Sequence, residues 1–232
     1  MRGPHNIWRL IRTGATLERT GAMNVVLDAF EAPKALRIVA RVLARPFMWL
    51  GYPGDPSMPP ATRALTALGP AYIKFGQILS TRPDVVGDEL AKQLRVLQDQ
   101  LPPFPAAQAR AEIARELGVD PDEVFLEFSE PIAAASIAQV HKARLAGTGE
   151  AVAVKVLRPG IERAFRKDVD AFYLAARIAD LFAPGARRLR PMDVIEHFDG
   201  VVRGELDLRL ESAAASEFAA NTKGDEGFKV PS

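Results

Sequence analysis

Lys155 lies in a short strand-like run, AVAVKV, that occupies residues 151–156. A strand turns successive side chains to opposite faces, so Ala153 and Lys155 share one face and the three valines share the other. The valine face is expected to pack on a core. On the opposite face, a small alanine leaves room for a flat ring, and a lysine two residues on can reach phosphates attached to that ring. The pattern indicates a nucleotide site, but a lysine on the open face of a strand is more often simply solvated.

Upstream of this lysine, the run Ala133-Ala134-Ala135-Ser136 is expected to join two strands. Small side chains at such a turn would let backbone N–H groups approach phosphate oxygens. Alanine excludes some of the positive-φ conformations that glycine accepts, so this turn should be stiffer than a glycine-rich one. Without the neighbouring strand and lysine, the same run would be only a packing site for small residues.

Three acids follow in the helical segment near the end of the chain: Glu205, Asp207 and Glu211. At 100° per residue, Asp207 and Glu211 share a face of a regular helix, whereas Glu205 and Asp207 lie about 200° apart. The three acids are therefore expected to serve at least two partners. The alternative is that they solvate a helix on which Arg203 and Arg209 offset their charge.

The run Lys74-Phe75-Gly76-Gln77 places a glycine inside a predicted helix, where glycine is less favourable than alanine by about 1 kcal/mol. Helical spacing puts Lys74 and Gln77 on one face and lets Phe75 pack on another. A residue without a side chain between these faces lets a ligand or another backbone come close. Close packing between helices is the second interpretation.

Helix breakers and changes of period divide the chain into three predicted regions. Residues 1–60 form a helical region that ends in a Pro/Gly-rich linker, GYPGDPSMPP. Residues 61–119 form a helical extension with an interruption near Arg82-Pro83 and a last helix closed by Gly118. Residues 120–232 begin with short alternating runs, which are typical of strands.

The third region contains the predicted sheet. Strands are expected at about 124–129, 137–145 and 150–157, with AGTGE as the hairpin turn between the last two. Helical periodicity returns from Ile161 to Phe182, and one long helix is expected from Pro191, with Gly200 and Gly204 as weak points. The tail GFKVPS looks strand-like. Helices, a small sheet and further helices make an α+β fold.

Composition limits the classes of partner. The chain has 232 residues, 48% hydrophobic residues and a formal net charge of +1, so nucleic acid is not expected as a partner. It has no cysteine, and its three histidines are far apart in sequence, so no metal site is expected. No signal peptide or membrane-spanning segment is apparent. The cytoplasm is the expected location, and peripheral association with the inner membrane stays open.

The segment KALRIVARVLARPFMWL, residues 34–50, suggests how such an association could occur. Arg37, Arg41 and Arg45 recur every four residues and form a basic stripe on one helix face, with Ile38, Val42 and Leu43 turned away from it. This pattern indicates a helix lying on an anionic membrane surface. The pattern also fits the solvated face of an ordinary packed helix, which is the favoured interpretation.

Four motifs in order resemble the UbiB family, the atypical protein-kinase-like proteins required for ubiquinone biosynthesis. The motifs are LGPAYIKFGQILSTRPD with LQDQLPPFP, PIAAASIAQVHKARL, VAVKVLRPGI and GELDLRLESAAASEF. The resemblance covers roughly residues 60–232, and residues 1–60 match only loosely, as a variable N-terminal region. It implies a helical N-terminal extension packed on a kinase-like small lobe, and it implies that ATP with Mg²⁺ is the cofactor.

The resemblance also implies roles for individual residues. Lys155 would contact the nucleotide phosphates, with Glu211 as its ion-pair partner, and Ala153 would border the adenine. Ala133 to Ser136 would cover the phosphates. Lys74, Gly76 and Gln77 would belong to an extension folded over the region where a protein kinase binds its peptide. Glu205 and Asp207 would lie near that extension and couple it to the nucleotide site.

A kinase-like fold also needs a second lobe, which carries the catalytic residues and the metal-binding aspartate. We find neither a His-x-Asp catalytic loop nor an Asp-Phe-Gly sequence, so we expect no catalytic or metal-binding residues in this chain. By itself it should bind ATP weakly and not turn it over. We expect residues 120–232 to be a kinase-like small lobe truncated before the hinge, with the large lobe absent. The alternative to part of an ATPase or atypical kinase is a non-catalytic regulatory or interaction module, or a gene fragment, that lacks the catalytic lobe. Possible partners of the chain besides ATP are intermediates or proteins of the ubiquinone pathway, membrane lipid and a second copy of the chain.

Overall fold

The computed structural model describes residues 4–29, 32–98, 102–182, 190–225, 227 and 230. The helices are α1 (Pro4–Thr20), α2 (Ala22–Ala29), α3 (Lys34–Ala44), α4 (Pro60–Leu68), α5 (Pro70–Ser80), α6 (Pro83–Val86), α7 (Asp88–Arg95), α8 (Ala106–Leu117), α9 (Pro121–Val124), α10 (Ile161–Phe182), α11 (Pro191–Leu206) and α12 (Leu208–Asn221). Two short 3-10 helices cover Arg45–Leu50 and Val96–Gln98. The strands are β1 (Phe125–Ala134), β2 (Ala138–Leu145) and β3 (Ala151–Leu157).

The strands form one antiparallel sheet in the order β1-β2-β3, which confirms the predicted α+β fold. The turn between β2 and β3 contains Gly149 at φ 69°, a conformation that glycine adopts without strain. β1 runs five residues further than the predicted end at residue 129. Its pairing with β2 shifts register between Phe128 and Pro131 and again before Ala133, so irregular pairing carries the strand past its proline.

The largest core joins the helical extension to the region that carries the sheet. Phe75 of α5 lies against Phe172 of α10 and Phe198 of α11, with ring centroids 5.3 and 5.2 Å away. Ile137 and Ala138, at the start of β2, belong to the same buried cluster. Phe75 and its neighbours thus form the apolar face of α5 that the helical period predicts, and this face holds the extension on the sheet-bearing part.

Helix α1 packs on this core rather than standing apart from it. The Arg9 guanidinium pairs with the Asp168 carboxylate of α10, and the Thr13 and Tyr72 hydroxyls are 2.6 Å apart. Burial raises the pKa of Asp168 to about 6, while the Arg9 charge acts in the opposite direction. The first predicted region is therefore in contact with the other two, and the division at residues 60 and 119 stays a prediction.

The long helix predicted from Pro191 is broken, contrary to expectation. The break falls at Asp207, whose backbone leaves the helical region at φ −97° and ψ 89° and separates α11 from α12. Gly200 and Gly204, the expected weak points, lie inside α11. The carboxylate of Asp207 accepts a hydrogen bond from the backbone N–H of Arg209 and so caps α12. The helix therefore ends where an acid can cap the next helix, and not at either of the two glycines. Most of the predicted strand-like tail lies outside the described residues.

Candidate nucleotide site

The open face of β3 carries Lys155. Alternate residues Ala151, Ala153 and Lys155 are exposed, whereas Val156 on the opposite face is buried. That buried face packs on α8 through a cluster that includes Ile113. The period-two prediction is confirmed, and the described residues leave Ala151, Ala153 and Lys155 exposed on one side of the sheet.

Lys155 contacts an acid that is 56 residues away in sequence. Its Nζ donates to Glu211 Oε2 at 2.6 Å, which links β3 to α12. Both side chains are exposed, by 39% and 60%, so the pair adds little to stability, about 0 to 1 kcal/mol. Its consequence is geometric, because it brings the first turn of α12 to the open face of β3.

The alanine run is only partly a turn. Ala133 and Ala134 belong to β1, opposite Val140 and Gln139, which corrects the prediction that all four residues form the connection. The turn is closed by Ala135, whose N–H donates to Ala138 O at 2.8 Å. Ser136 is buried, so its side chain is turned into the protein rather than toward the open face.

Arg158 holds this turn and was missed at the sequence level. Its guanidinium donates to Ala135 O at 3.1 Å and to Pro102 O at 2.8 Å. It lies over the Phe104 ring at 5.5 Å. Burial lowers the pKa of this arginine. No local signal in the sequence pointed to this contact, because only the folded chain brings Arg158 to a carbonyl 23 residues upstream.

A second cation shares the open face. Lys142 of β2 is the direct register partner of Ala153, and Val140 is the partner of Lys155. Directly opposed residues of antiparallel strands point to the same face, so Lys142 and Lys155 both border the space above Ala153. The length of the hairpin turn could have predicted that Lys142 pairs with Ala153. The sequence did not give the exact ends of the two strands, which this prediction needs.

The Lys-x-Gly-Gln motif contributes two contacts in different directions. Lys74 Nζ lies 2.6 Å from Glu205 Oε2 of α11. Gln77 Nε2 donates to Leu97 O at 2.8 Å, in the second 3-10 helix. Lys74 therefore joins the extension to the helix pair α11–α12, whereas Gln77 joins two parts of the extension to each other.

The three acids have three different partners. Glu205 contacts Lys74, Glu211 contacts Lys155, and Asp207 contacts Arg209, its neighbour two residues on. Hydrogen bonds from Arg209 lower the pKa of the Asp207 carboxyl. Because the helix breaks at Asp207, the shared face expected for Asp207 and Glu211 on one regular helix does not exist. The expectation of at least two partners is confirmed.

Gly76 is explained by close helix packing. A Cβ built at this position would lie 2.4 Å from Leu97 Cδ1 and 2.6 Å from Leu65 Cδ1. Two leucine side chains thus fill the space that the glycine leaves, rather than a ligand or another backbone. The interpretation as an approach point for a ligand is wrong, and the glycine serves the core of the extension.

We expect Gly76→Ala to lower the free energy of unfolding by about 1 kcal/mol. Overpacking against Leu65 and Leu97 should outweigh the helix propensity gained by alanine, which is about 1 kcal/mol. Gly200→Ala is the matched control, because nothing lies within 4 Å of its added Cβ in α11. That change should stabilise the protein by about 0.5 to 1 kcal/mol. Urea denaturation compares the two, and equal stabilisation by both would contradict the packing argument.

The letters of a His-x-Asp motif do occur, in His197-Phe198-Asp199, but not as a catalytic loop. All three residues lie inside α11. Phe198 is buried in the core, and Asp199 accepts hydrogen bonds from Arg203 at 2.7 and 2.9 Å. This tripeptide is part of a packed helix.

Two further properties concern metals and membranes. Across the described part of the chain, no group of three or more His, Asp or Glu side chains could hold a metal ion. No helix in the same residues has both the length and the apolar character to cross a bilayer. The open face of the sheet carries Lys142, Lys155 and the small residue Ala153, and these residues do not fit a Mg²⁺ site.

Comparisons with known proteins give a matching family model and several relatives. The family model of the ABC1 atypical kinase-like domain matches residues 96–232. The chain is similar to proteins named "Probable protein kinase UbiB": it is 46% identical over 169 residues to the one from Marinobacter nauticus, covering 72% of this chain and 31% of that protein. With the one from Azotobacter vinelandii it is 42% identical over 227 residues, covering 96% of this chain and 42% of that protein.

The similarity extends further along this chain than its motifs suggested. A match covering 96% of the chain includes most of residues 1–60, which we expected to match only loosely. The chain spans 31% to 42% of the length of these two relatives.

Proposed function

Because this chain belongs to the ABC1 atypical kinase-like family, we propose that it binds ATP on the open face of its sheet, through Lys155 and the turn after β1. The observation that carries the proposal is the 2.6 Å contact between Lys155 Nζ and Glu211 Oε2 beside the exposed Ala153. Kinase-like proteins use such a strand lysine, paired with a helix glutamate, to hold nucleotide phosphates.

The shape of this face supports a flat ligand ring above Ala153. Alanine contributes only a methyl group, and its register partner Lys142 has a long side chain that can lie to one side. Val140, opposite Lys155, adds an apolar surface on the same face. A purine can therefore pack on Ala153 and Val140, with its phosphates extending toward Lys155.

The turn that includes Ala135 supports phosphate binding by position and stiffness. Ala133 and Ala135 are exposed, and the turn carries no large side chain that would keep a phosphate away. Arg158 donates a hydrogen bond to the carbonyl of Ala135 and so restrains the turn. We propose that Ala133, Ala134, Ala135 and Ser136 together cover the phosphates, with Ser136 acting through its backbone because its side chain is buried.

The contact between Lys74 and Glu205 supports coupling of the extension to this face. Glu205 lies in the last turn of α11 and Glu211 in the first turn of α12, on either side of the break at Asp207. A displacement of α5 would therefore be passed through Glu205 to the helix that positions Lys155. We propose Lys74, Gly76, Gln77, Glu205 and Asp207 as the regulatory part of the site, with Gly76 and Asp207 acting through packing and helix capping.

We propose that the protein supports ubiquinone biosynthesis as part of an atypical kinase or ATPase. Mg²⁺ would accompany ATP, but the described residues lack a fitting metal site, so its ligands are not assigned in this chain. In the organism that encodes the chain, Lys155→Ala should lower the ubiquinone level. A normal level in that variant would contradict this role.

Nucleotide titration followed by NMR tests the binding site directly. The unmodified chain should bind ATP more weakly than micromolar, with the largest shifts at residues 133–136 and 153–155. Lys155→Ala should lower the affinity at least about tenfold, because it removes a charge-assisted hydrogen bond to phosphate. Lys92→Ala in α7 removes the same charge from an exposed position and should change nothing.

Two results would contradict parts of the proposal. Equal affinities of the Lys155→Ala and Lys92→Ala variants would exclude Lys155 as a phosphate ligand. Magnesium-dependent ATP turnover by the purified chain would contradict the expectation that it is inactive alone, and it would exclude the non-catalytic alternative.

A further inference from the structure

An apolar surface on α3 and the following 3-10 helix is not covered by the rest of the described chain. We call it the α3 surface, and it consists of Ile38, Val39, Val42, Leu43, Phe47, Met48 and Trp49. Trp49 is 74% exposed, Leu43 65% and Ile38 63%. Isolated apolar residues are common on protein surfaces, but seven within twelve consecutive positions form a patch that marks an interaction site.

This exposure differs from what the sequence led us to favour. In an ordinary packed helix the side chains opposite the arginine stripe would be buried, yet Ile38, Val42 and Leu43 face outward. The arginines instead contact α2: Arg37 pairs with Asp28, and Arg41 with the side-chain oxygen of Asn24. Two of the three stripe residues thus attach α3 to the protein, and the apolar side is presented to the outside.

The charged residues within the α3 segment itself have one sign. The segment Lys34–Leu50 contains four cations, Lys34, Arg37, Arg41 and Arg45, and no acid. Only Arg37 has a carboxylate partner among the ion pairs of the described residues, and Lys34, Arg41 and Arg45 are exposed. An apolar patch bordered by three cations without a carboxylate partner among the described residues is complementary to a surface that combines apolar groups with negative charge.

The α3 surface is also held in place. Arg19 donates to Gly51 O at 2.7 Å, and the Tyr52 N–H donates to the Thr16 hydroxyl at 3.1 Å. Ala44, where α3 meets the 3-10 helix, is buried. The surface is therefore a preformed part of the fold, anchored on α1 at its C-terminal end and on α2 by its arginines.

We propose that the α3 surface docks on a bilayer that contains anionic lipid, with Trp49 and the aliphatic side chains in the interface and the cations at the headgroups. Exposed aliphatic and Trp side chains with lysine and arginine at the border are the composition of segments that lie in a membrane interface. A second copy of the chain is a poorer occupant, because a twofold contact would bring these cations against their own copies. The proposal does not depend on nucleotide binding.

Vesicle sedimentation tests the proposal with two charge-changed variants. The chain should sediment with vesicles of phosphatidylglycerol and phosphatidylcholine, and much less with phosphatidylcholine alone. The double change Val42→Glu with Leu43→Glu should lower this binding at least about tenfold. Leu126→Glu is the control, because Leu126 is 64% exposed on β1, far from α3 in sequence. This variant should bind vesicles as the unmodified chain does. Circular dichroism and thermal unfolding check that both variants are folded.

Tryptophan fluorescence gives an independent readout of the same contact. The chain has two tryptophans, so Trp8→Phe leaves Trp49 as the only one. Anionic vesicles should shift its emission to the blue and protect it from a water-soluble quencher, and high salt should weaken both effects. In the double glutamate variant carrying Trp8→Phe, neither effect should appear.

Three outcomes would overturn the proposal. One is equal binding of the unmodified chain to anionic and neutral vesicles. Another is unchanged vesicle binding in the double glutamate variant. The third is a dimer of the unmodified chain that the glutamates dissociate while vesicle binding stays absent, which would assign the α3 surface to a second copy.

Discussion

Phe198→Ala is expected to lower the free energy of unfolding by about 3 to 5 kcal/mol. Phe198 is 1% exposed, and its ring packs on Phe75 and Phe172 with centroids 5.2 and 5.8 Å away. Removing it leaves a cavity between α5, α10 and α11, because three helices that meet on one ring cannot all close on the space. Urea denaturation followed by circular dichroism measures the change.

Phe218→Ala is the matched control for this prediction. The same side chain is lost from α12, where Phe218 is 48% exposed, so the expected change is below about 1 kcal/mol. Similar losses in both variants would show that burial at Phe198 does not decide its contribution. The comparison also matters for the site, because Phe198 holds α11, the helix that ends next to Glu205.

Gly51→Ala is expected to destabilise the protein by about 2 to 3 kcal/mol. The backbone of Gly51, at φ −75° and ψ 149°, is one that alanine adopts without strain, so the effect comes from space alone. An added Cβ would lie 2.5 Å from the carbonyl carbon and oxygen of Ala15 and 2.7 Å from the Thr16 nitrogen. Backbone atoms inside α1 cannot rotate away as a side chain can.

Gly147→Ala tests this argument with the same chemical change. Gly147 lies in the turn between β2 and β3, and nothing lies within 4 Å of its added Cβ. Its effect should stay within about 0.5 kcal/mol. If Gly51→Ala were equally harmless, the segment after the 3-10 helix would not be held against α1 as closely as the structure indicates. Thermal and urea unfolding of the two variants decide between these results.

The break at Asp207 explains how neighbouring acids reach separate partners. A regular helix would have turned Glu205 and Glu211 to faces fixed by the 100° rotation per residue. The break gives α12 its own start, capped by the Asp207 carboxylate, and Glu211 in its first turn meets Lys155. Glu205, at the end of α11, meets Lys74. One capping residue therefore separates the contact with the extension from the contact with the sheet.

Features set by local periodicity followed from the sequence. The alternation in AVAVKV placed Ala153 and Lys155 on the open face, and the structure agrees because a pleated strand has no other way to orient them. The ends of α8 at Gly118 and of α10 at Phe182 were likewise predicted. Gly118 adopts φ 71°, where a side chain would be strained.

The resemblance to UbiB, rather than any single spacing, joined these elements into one site. Lys155 and Glu211 are separated by 56 residues, and periodicity has no information about pairs so far apart. The same holds for Lys74 and Glu205. Four motifs in the family's order implied the Lys155–Glu211 pair and placed Glu205 near the extension, whereas the contact of Glu205 with Lys74 came from the structure.

Only the tertiary structure decided which side chains fill a gap and which stay exposed. Leu65 and Leu97 fill the gap at Gly76, Arg158 reaches the carbonyl of Ala135, and Lys142 stands opposite Ala153. The apolar side of α3 faces outward although its period fits a packed helix. The sequence by itself determined the local faces, the fold class and the family, because these depend on neighbouring residues and ordered motifs. Which faces meet, and which stay uncovered, depends on how the helices pack against one another, and no local period contains that information.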